Sequence, residues 1–354
     1  MRRGWTTGAC AAGAARAAAE ALLAGAFPDP VSIRLPGGEC PVFPLALKEL
    51  RPGFARAGIV KDAGDDPDVT HGAIVIAALA PGPAGSGVTF HAGEGVGTVT
   101  RPGLPLAVGE PAINPAPRAM IAAALTVAAA ATGQALPDLA VTIAIPGGAA
   151  LAAKTLNARL GIIGGLSILG TTGIVIPYSC ASWIHAIQRG IDVARAAGLD
   201  HLAAATGSTS EAAVQRLLRL PETALIDMGD FAGGTLKYLR RHPVPRLTLA
   251  GGFGKLAKLA QGHLDLHSGA SRIDAAALAE LLASLGADAA IVAAARQAAG
   301  AGEVLGLAGT YRRALAERVA RQAREVALAT LAGGIAVDVA IFDRHGDLLA
   351  HARP

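Results

Sequence analysis

Two rhythms of apolar and polar positions divide the chain. Up to about residue 150, short apolar stretches alternate with turn residues: 31–35 runs into Pro36-Gly37-Gly38, 55–60 into an acidic loop, and 88–92 into Gly93-Glu94-Gly95-Val96-Gly97. These read as strands. Thr6-Thr7-Gly8 supplies hydroxyls that cap a helix running to about Ala24, and residues 118–132 form a second helix. The pattern predicts an α+β domain over residues 1–150.

From residue 151 onward, apolar runs of strand length alternate with longer helical stretches. Helices are expected at 182–197, 211–220, 255–260, 275–285 and 312–331, and strands at 201–205, 224–228 and 247–250. This predicts an α/β domain over residues 151–354 with a largely parallel, Rossmann-like sheet covered by helices. Residues 335–342 and 348–350, around His345-Gly346-Asp347, read as a closing hairpin packed back on that sheet. No internal repeat is visible.

Length and composition agree with two domains. The 354 residues are about twice a typical domain of ~150. Hydrophobic residues make up 52% but aromatics only 3%, so the core must be built from many small side chains. Disorder and a disulfide scaffold are excluded. With 31 basic against 27 acidic residues, the net charge of +4 argues against nucleic acid as a partner. Arg16 and Glu20 interrupt the N-terminal Ala-rich stretch, and the apolar run at 120–131 falls short of the roughly 18 residues that cross a bilayer. A cytoplasmic protein with no membrane partner is expected, and Cys10, Cys40 and Cys180, without Cys-x-x-Cys spacing, suit a reducing compartment.

Candidate chemistry concentrates in loops. Thr206-Gly207-Ser208-Thr209-Ser210-Glu211 follows a buried-type strand and opens a helix, with Ser208 and Glu211 spaced as a capping box. Exposed amides at such a helix start favour an anion or carboxylate. Asp227 and Asp230 follow another strand end, where an acid commonly holds ribose hydroxyls. Gly254-Lys255 is not a P-loop, because Leu249 stands where Gly is needed and Leu256 where Ser or Thr is needed. The spacing of Gly93, Gly95 and Gly97 does not fit a dinucleotide fingerprint. Asp62, Asp65, Asp66 and Asp68 crowd one loop with Lys61 and His71 but lack the EF-hand pattern. His263, Asp265 and His267 alternate without a third strong metal ligand, so they read as a polar pocket lining and no protein-bound metal is expected. Cys10 reads as a buried apolar thiol.

Taken together, eight segments resemble the CbiD family of cobalamin biosynthesis, the cobalt-precorrin-5B C1-methyltransferases. They are GWTTGAC at 4–10, VKDAGDDPDVTHG at 60–72, GEGVGTVTRPGL at 93–104, VGEPAINPAPR at 108–118, KTLNARLGIIGGLSILGTT at 154–172, TGSTSE at 206–211, MGDF at 228–231 and GKLAKLAQGHLDLHS at 254–268. Ala149-Ala150 and His91-Ala92 depart from the family pattern.

The resemblance implies methyl transfer from S-adenosyl-L-methionine to C1 of a cobalt-containing tetrapyrrole in the anaerobic cobalamin route, with cobalt belonging to the substrate. Under it, the cofactor is expected at Thr206, Gly207, Ser208, Thr209, Glu211, Gly229 and Asp230. The tetrapyrrole is expected at Lys61, Asp62, Asp65, His71, Asn114, Arg118, Lys255, Lys258, His263, His267 and Ser268, with cations clamping its carboxylates. Positioning should matter more than a strong base, so Lys255 and His267 are only candidate catalytic groups. A homo-oligomer is compatible with the sequence. The alternative is a tetrapyrrole carrier without catalysis, which a cofactor test separates.

Overall fold

A computed structural model describes all 354 residues. The chain forms two compact units, Met1–Cys180 and Ala181–Pro354. In the first, helices α1 (Thr7–Ala24) and α2 (Pro115–Thr132) pack against each other, and α1 lies on the strands β2 (Phe54–Val60) and β3 (Ile74–Pro81). Alanine explains the closeness of α1. Ten of its Ala and Cys residues, Ala9 to Ala21, have no solvent exposure, and a Cβ on Gly13 would already meet Ile59 at 2.8 Å. With β1 (Leu47–Arg51), β4 (Val88–Ala92) and β5 (Leu139–Ala144), the sheet order is β1-β2-β3-β5-β4. All neighbours are antiparallel except β4 and β5.

Residues 151–180, expected to open the second domain, belong to the first unit. Their backbone is tied there by Ile162↔Val99 pairing, by bonds between Gly97 N and Leu166 O (2.9 Å) and between Leu166 N and Gly95 O (2.8 Å), and by Gly8 N donating to Leu169 O (3.1 Å). The strands involved are two residues long, so no periodicity announced them.

The second unit is built on a mixed five-stranded sheet. After α3 (Cys180–Ala196) come β6 (His201–Ala205), α4 (Ser208–Leu218), β7 (Leu225–Asp227), α5 (Ala232–Arg241), β8 (Arg246–Gly252) and α6 (Phe253–Ala260). Helices α7 (Ala275–Ser284), α8 (Ala289–Arg296), α9 (Ala301–Leu307) and α10 (Arg312–Leu331) follow, then β9 (Ala336–Phe342) and β10 (Leu348–Ala352). Strand order is β7-β6-β8-β9-β10, parallel throughout except for the closing β9/β10 hairpin. Both faces are covered: Ala203, Ala205, Ala250 and Ala340 pack with Ala213 and Val214 of α4, while Leu202, Leu249 and Val339 join the larger core on the opposite face. This double burial is why the strands read as continuous apolar runs.

Candidate active site

The chain passes from β6 to β7 on one side of the sheet and then to β8 on the other, so the loops after β6 and β8 diverge at the carboxyl edge. Crevices at such reversals are where open α/β sheets take ligands. Three loops meet there. Thr206–Ser208 follows β6, Met228–Asp230 follows β7, and Gly252 opens α6. Gly251 is required by crowding, since a Cβ there would sit 2.7 Å from Thr206 Oγ1.

Helix α4 begins one residue earlier than the capping box required. Its cap is Gly207, in extended backbone, and no side chain caps it. Ser208 is therefore the first helical residue rather than the cap, and the Ser208–Glu211 box does not form; Ser210 Oγ instead donates to Gly207 O at 2.8 Å. The first-turn amides keep donor capacity, and a Cβ at Gly207 or Gly252 would meet nothing within 4 Å.

Lys255 spans the edge. Its Nζ donates to Thr206 O at 2.7 Å and stands 3.0 Å from Asp230 Oδ1, so one ammonium ties the three loops together. Asp230 Oδ1 is buried and accepts no hydrogen bond of good geometry despite that charged neighbour. The 261–268 loop is stitched to the same place, with Leu266 N donating to Asp230 O (2.9 Å), Gly233 N to Leu264 O (2.7 Å) and Lys258 Nζ to Leu266 O (2.8 Å). His263 N donates to Lys258 O at 3.0 Å. His267 and Ser268 are exposed, and His267 Nδ1 accepts from Gly269 N at 3.1 Å. That bond leaves the neutral imidazole's proton on Nε2. No three His, Cys, Asp or Glu side chains converge as a metal site.

The first unit treats its expected site residues differently. Lys61 is 1% exposed and is paired with Asp68 Oδ2 at 2.5 Å. Burial raises the Asp68 carboxyl, but the Lys61 charge and bonds from Lys61 and Thr70 outweigh it and leave the acid below its ordinary range. Asp62 holds the Arg2 guanidinium and accepts from Gly64 N, and these bonds bring it down to about 2. Asp65 Oδ2 accepts from Arg2 N at 2.5 Å, and His71 Nδ1 from Ala63 N at 3.1 Å. The acidic loop is thus compensated by Lys61 and the N-terminal segment. Arg118 donates to Ile113 O (2.8 Å), Glu110 Oε1 (3.0 Å) and Pro111 O (3.3 Å) and lies over the Phe90 ring. Asn114 caps α2 without a side-chain bond. Lys61 and Arg118, expected as anion clamps, are committed within the unit itself. Cys10 has no exposure, and burial pushes its thiol up to about 12.

One site feature escaped sequence reasoning. Trp183, on the first turn of α3, is 46% exposed. Its Nε1 donates to Asp227 O at 3.2 Å, and its ring lies 6.2 Å from that of Phe231. The signal available was rarity, because the chain has two Trp.

Comparison with known proteins fits this geometry into a family. The CbiD family model matches residues 1–177, and the CbiD C-terminal domain model matches residues 265–353. A protein of Paramagnetospirillum magneticum is 61% identical over 99% of this chain and 98% of its own length. One of Methylorubrum extorquens is 59% identical over 100% of this chain and 98% of its own. Both are named cobalt-precorrin-5B C(1)-methyltransferase. A crystal structure of the cobalamin biosynthesis protein CbiD from Archaeoglobus fulgidus is 27% identical, covering 72% of this chain and 78% of that one, with a TM-score of 0.40. With one family model over the first half and relatives of such identity from end to end, the chain belongs to the CbiD family.

Proposed function

We propose that this protein methylates cobalt-precorrin-5B at C1, using S-adenosylmethionine and giving cobalt-precorrin-6A. The observation that carries the reading is end-to-end similarity, at 61% identity over 99% of the chain, to a protein of that name. The cobalt is part of the substrate. No helix is long and apolar enough to cross a membrane, and a cytoplasmic location follows from the reading.

The cofactor is assigned to the Rossmann-like edge of the second unit, and the residues there fit it. A carboxylate suits the uncapped amides of α4, and the Asp230 carboxylate, its side chain 24% exposed beside Lys255, suits a ribose hydroxyl. When bound, S-adenosylmethionine supplies an electrophilic methyl group on a sulfonium. Lys255 holds Asp230 and the Thr206 loop in register for it. An ammonium has three donors, so Lys255 and Lys258 each retain capacity for a substrate carboxylate beyond the bonds described. His267 presents Nε2–H as a further donor, and placing the reacting carbon against the methyl is the main catalytic task. The test is anaerobic incubation with cobalt-precorrin-5B and methyl-labelled S-adenosylmethionine, read by mass spectrometry. Labelled cobalt-precorrin-6A is expected; correctly folded protein that yields none overturns the reading.

A further inference from the structure

We propose that Trp183 is the wall against which the adenine ring of S-adenosylmethionine stacks; this rests on the cofactor reading above and extends it to a residue nothing else assigns. The carboxylate end of the cofactor belongs at the α4 N-terminus, beside the reversal between β6 and β8, and the ribose at Asp230, after β7. Continuing along that line, the adenine arrives beyond the end of β7. Trp183 stands there, with its indole hydrogen-bonded to Asp227, the last residue of β7, and its ring against Gly229.

Two details say that the ring is held and partly open. The Nε1 bond to Asp227 O fixes its rotation. A Cβ on Gly229 would stand 3.3 Å from the ring, and Gly229 has a φ of +56°, so a glycine lets the loop lie flush under the indole. Trp183 is nevertheless 46% exposed. An indole so oriented offers a flat, rigid face, and base–aromatic stacking is worth enough that removing the ring weakens binding about ten-fold. In a chain with only 3% aromatic residues, few other side chains can serve.

The experiment titrates S-adenosylhomocysteine into the full chain, followed by calorimetry and by intrinsic fluorescence. Trp5, packed edge-on to Phe43, is the other emitter and stays unchanged. Wild-type protein is expected to bind with quenching that disappears in W183F. W183A is expected to bind at least about ten-fold more weakly, with W183F restoring most of the affinity. Adenosine alone should follow the same order, while methionine alone should bind W183A and wild type equally, a split that general misfolding would not give. S-adenosylhomocysteine that binds W183A as tightly as wild type overturns the stacking role and leaves the cofactor reading intact. Wild-type protein that binds no S-adenosylhomocysteine overturns the cofactor reading itself.

Discussion

The Lys61–Asp68 pair separates a structural lysine from an anion clamp by an asymmetry between its two partners. Lys61 is 1% exposed, whereas 26% of the Asp68 side chain reaches solvent and its Oδ1 is also held by Thr70 N (2.7 Å) and Thr70 Oγ1 (2.6 Å). Asp68→Asn therefore leaves a buried ammonium without a counter-charge, which costs about 3 kcal/mol, the lower end for a broken buried pair. Lys61→Met keeps the stem volume and leaves Asp68 with Thr70 and water, so it costs about 1 kcal/mol or less. Urea unfolding in a Trp183→Phe background reads the first unit alone, since Trp5 is then the sole Trp. With a slope of about 2 kcal/mol/M, the Asp68→Asn midpoint drops by about 1.5 M and that of Lys61→Met by about 0.5 M. The pH dependence has a defined sign. Asp68 is depressed in the folded state, so its contribution is complete above the unfolded value near 4 and is lost as pH falls through the folded value. Lys61→Met should shrink that acid limb. If Lys61→Met proves as destabilising as Asp68→Asn, or abolishes tetrapyrrole binding with stability unchanged, the structural account is refuted.

Three further outcomes follow from packing and charge. Cys40 and Cys180 are exposed while Cys10 is buried with its thiol raised to about 12, so a disulfide-exchange reagent at pH 8 should titrate two thiols quickly and the third only after denaturation; three fast thiols would contradict the packing of α1. Gly95→Ala should cost about 2 kcal/mol or more by thermal unfolding, because φ is +72° and a Cβ would lie 2.0 Å from Ile145 O, whereas Gly207→Ala, facing open space, should stay within about 1 kcal/mol. Asp338, fully buried, accepts from Arg246 Nη2 at 2.5 Å and Thr248 Oγ1 at 3.2 Å, so Arg246→Met should destabilise the second unit by about 2 kcal/mol; burial raises the Asp338 carboxyl, but His351 and Arg246 leave it depressed, and denaturant midpoints should show this support fading as pH drops below about 4.

Much of the framework was legible because it rests on local signals. The strands at 88–92 and 201–205 and the helix at 312–331 carry their boundaries in turn residues and apolar period, and the structure gives them the same limits. Ile74–Pro81 carries a strong apolar run, but the acidic loop before it offers no strand boundary. Ala232–Arg241 was hidden by Gly233-Gly234 in its first turn. The glycines at 93–97 advertise a ligand loop but serve close backbone approach: Gly95 lies against Ile145, Gly148 and Gly165 in ways that only a missing Cβ permits. Residues 151–180 carry no local signal of the unit they join, because their bonds run to partners as distant as Gly8 and Thr6.

The lysines expose the deepest limit of reading charge from sequence. Lys61, Lys255 and Lys258 lie in the segments that carry the family resemblance, and that placement suggests cations free to clamp a polycarboxylate. Burial and pairing, which no spacing encodes, give each of them a partner inside the protein: Lys61 on Asp68, Lys258 on Leu266 O, and Lys255 on both Thr206 O and Asp230. On the proposed reading this pairing is what the chemistry requires. An ammonium without a counter-charge beside a cationic sulfonium would oppose cofactor binding by like-charge repulsion. Asp230, 3.0 Å from Lys255, cancels most of that repulsion while leaving the ammonium in place to fix the loops. On that proposed reading the acid at the strand end would have two tasks, accepting from the ribose and neutralising its own brace, and the second would let a lysine stand beside a positively charged methyl donor.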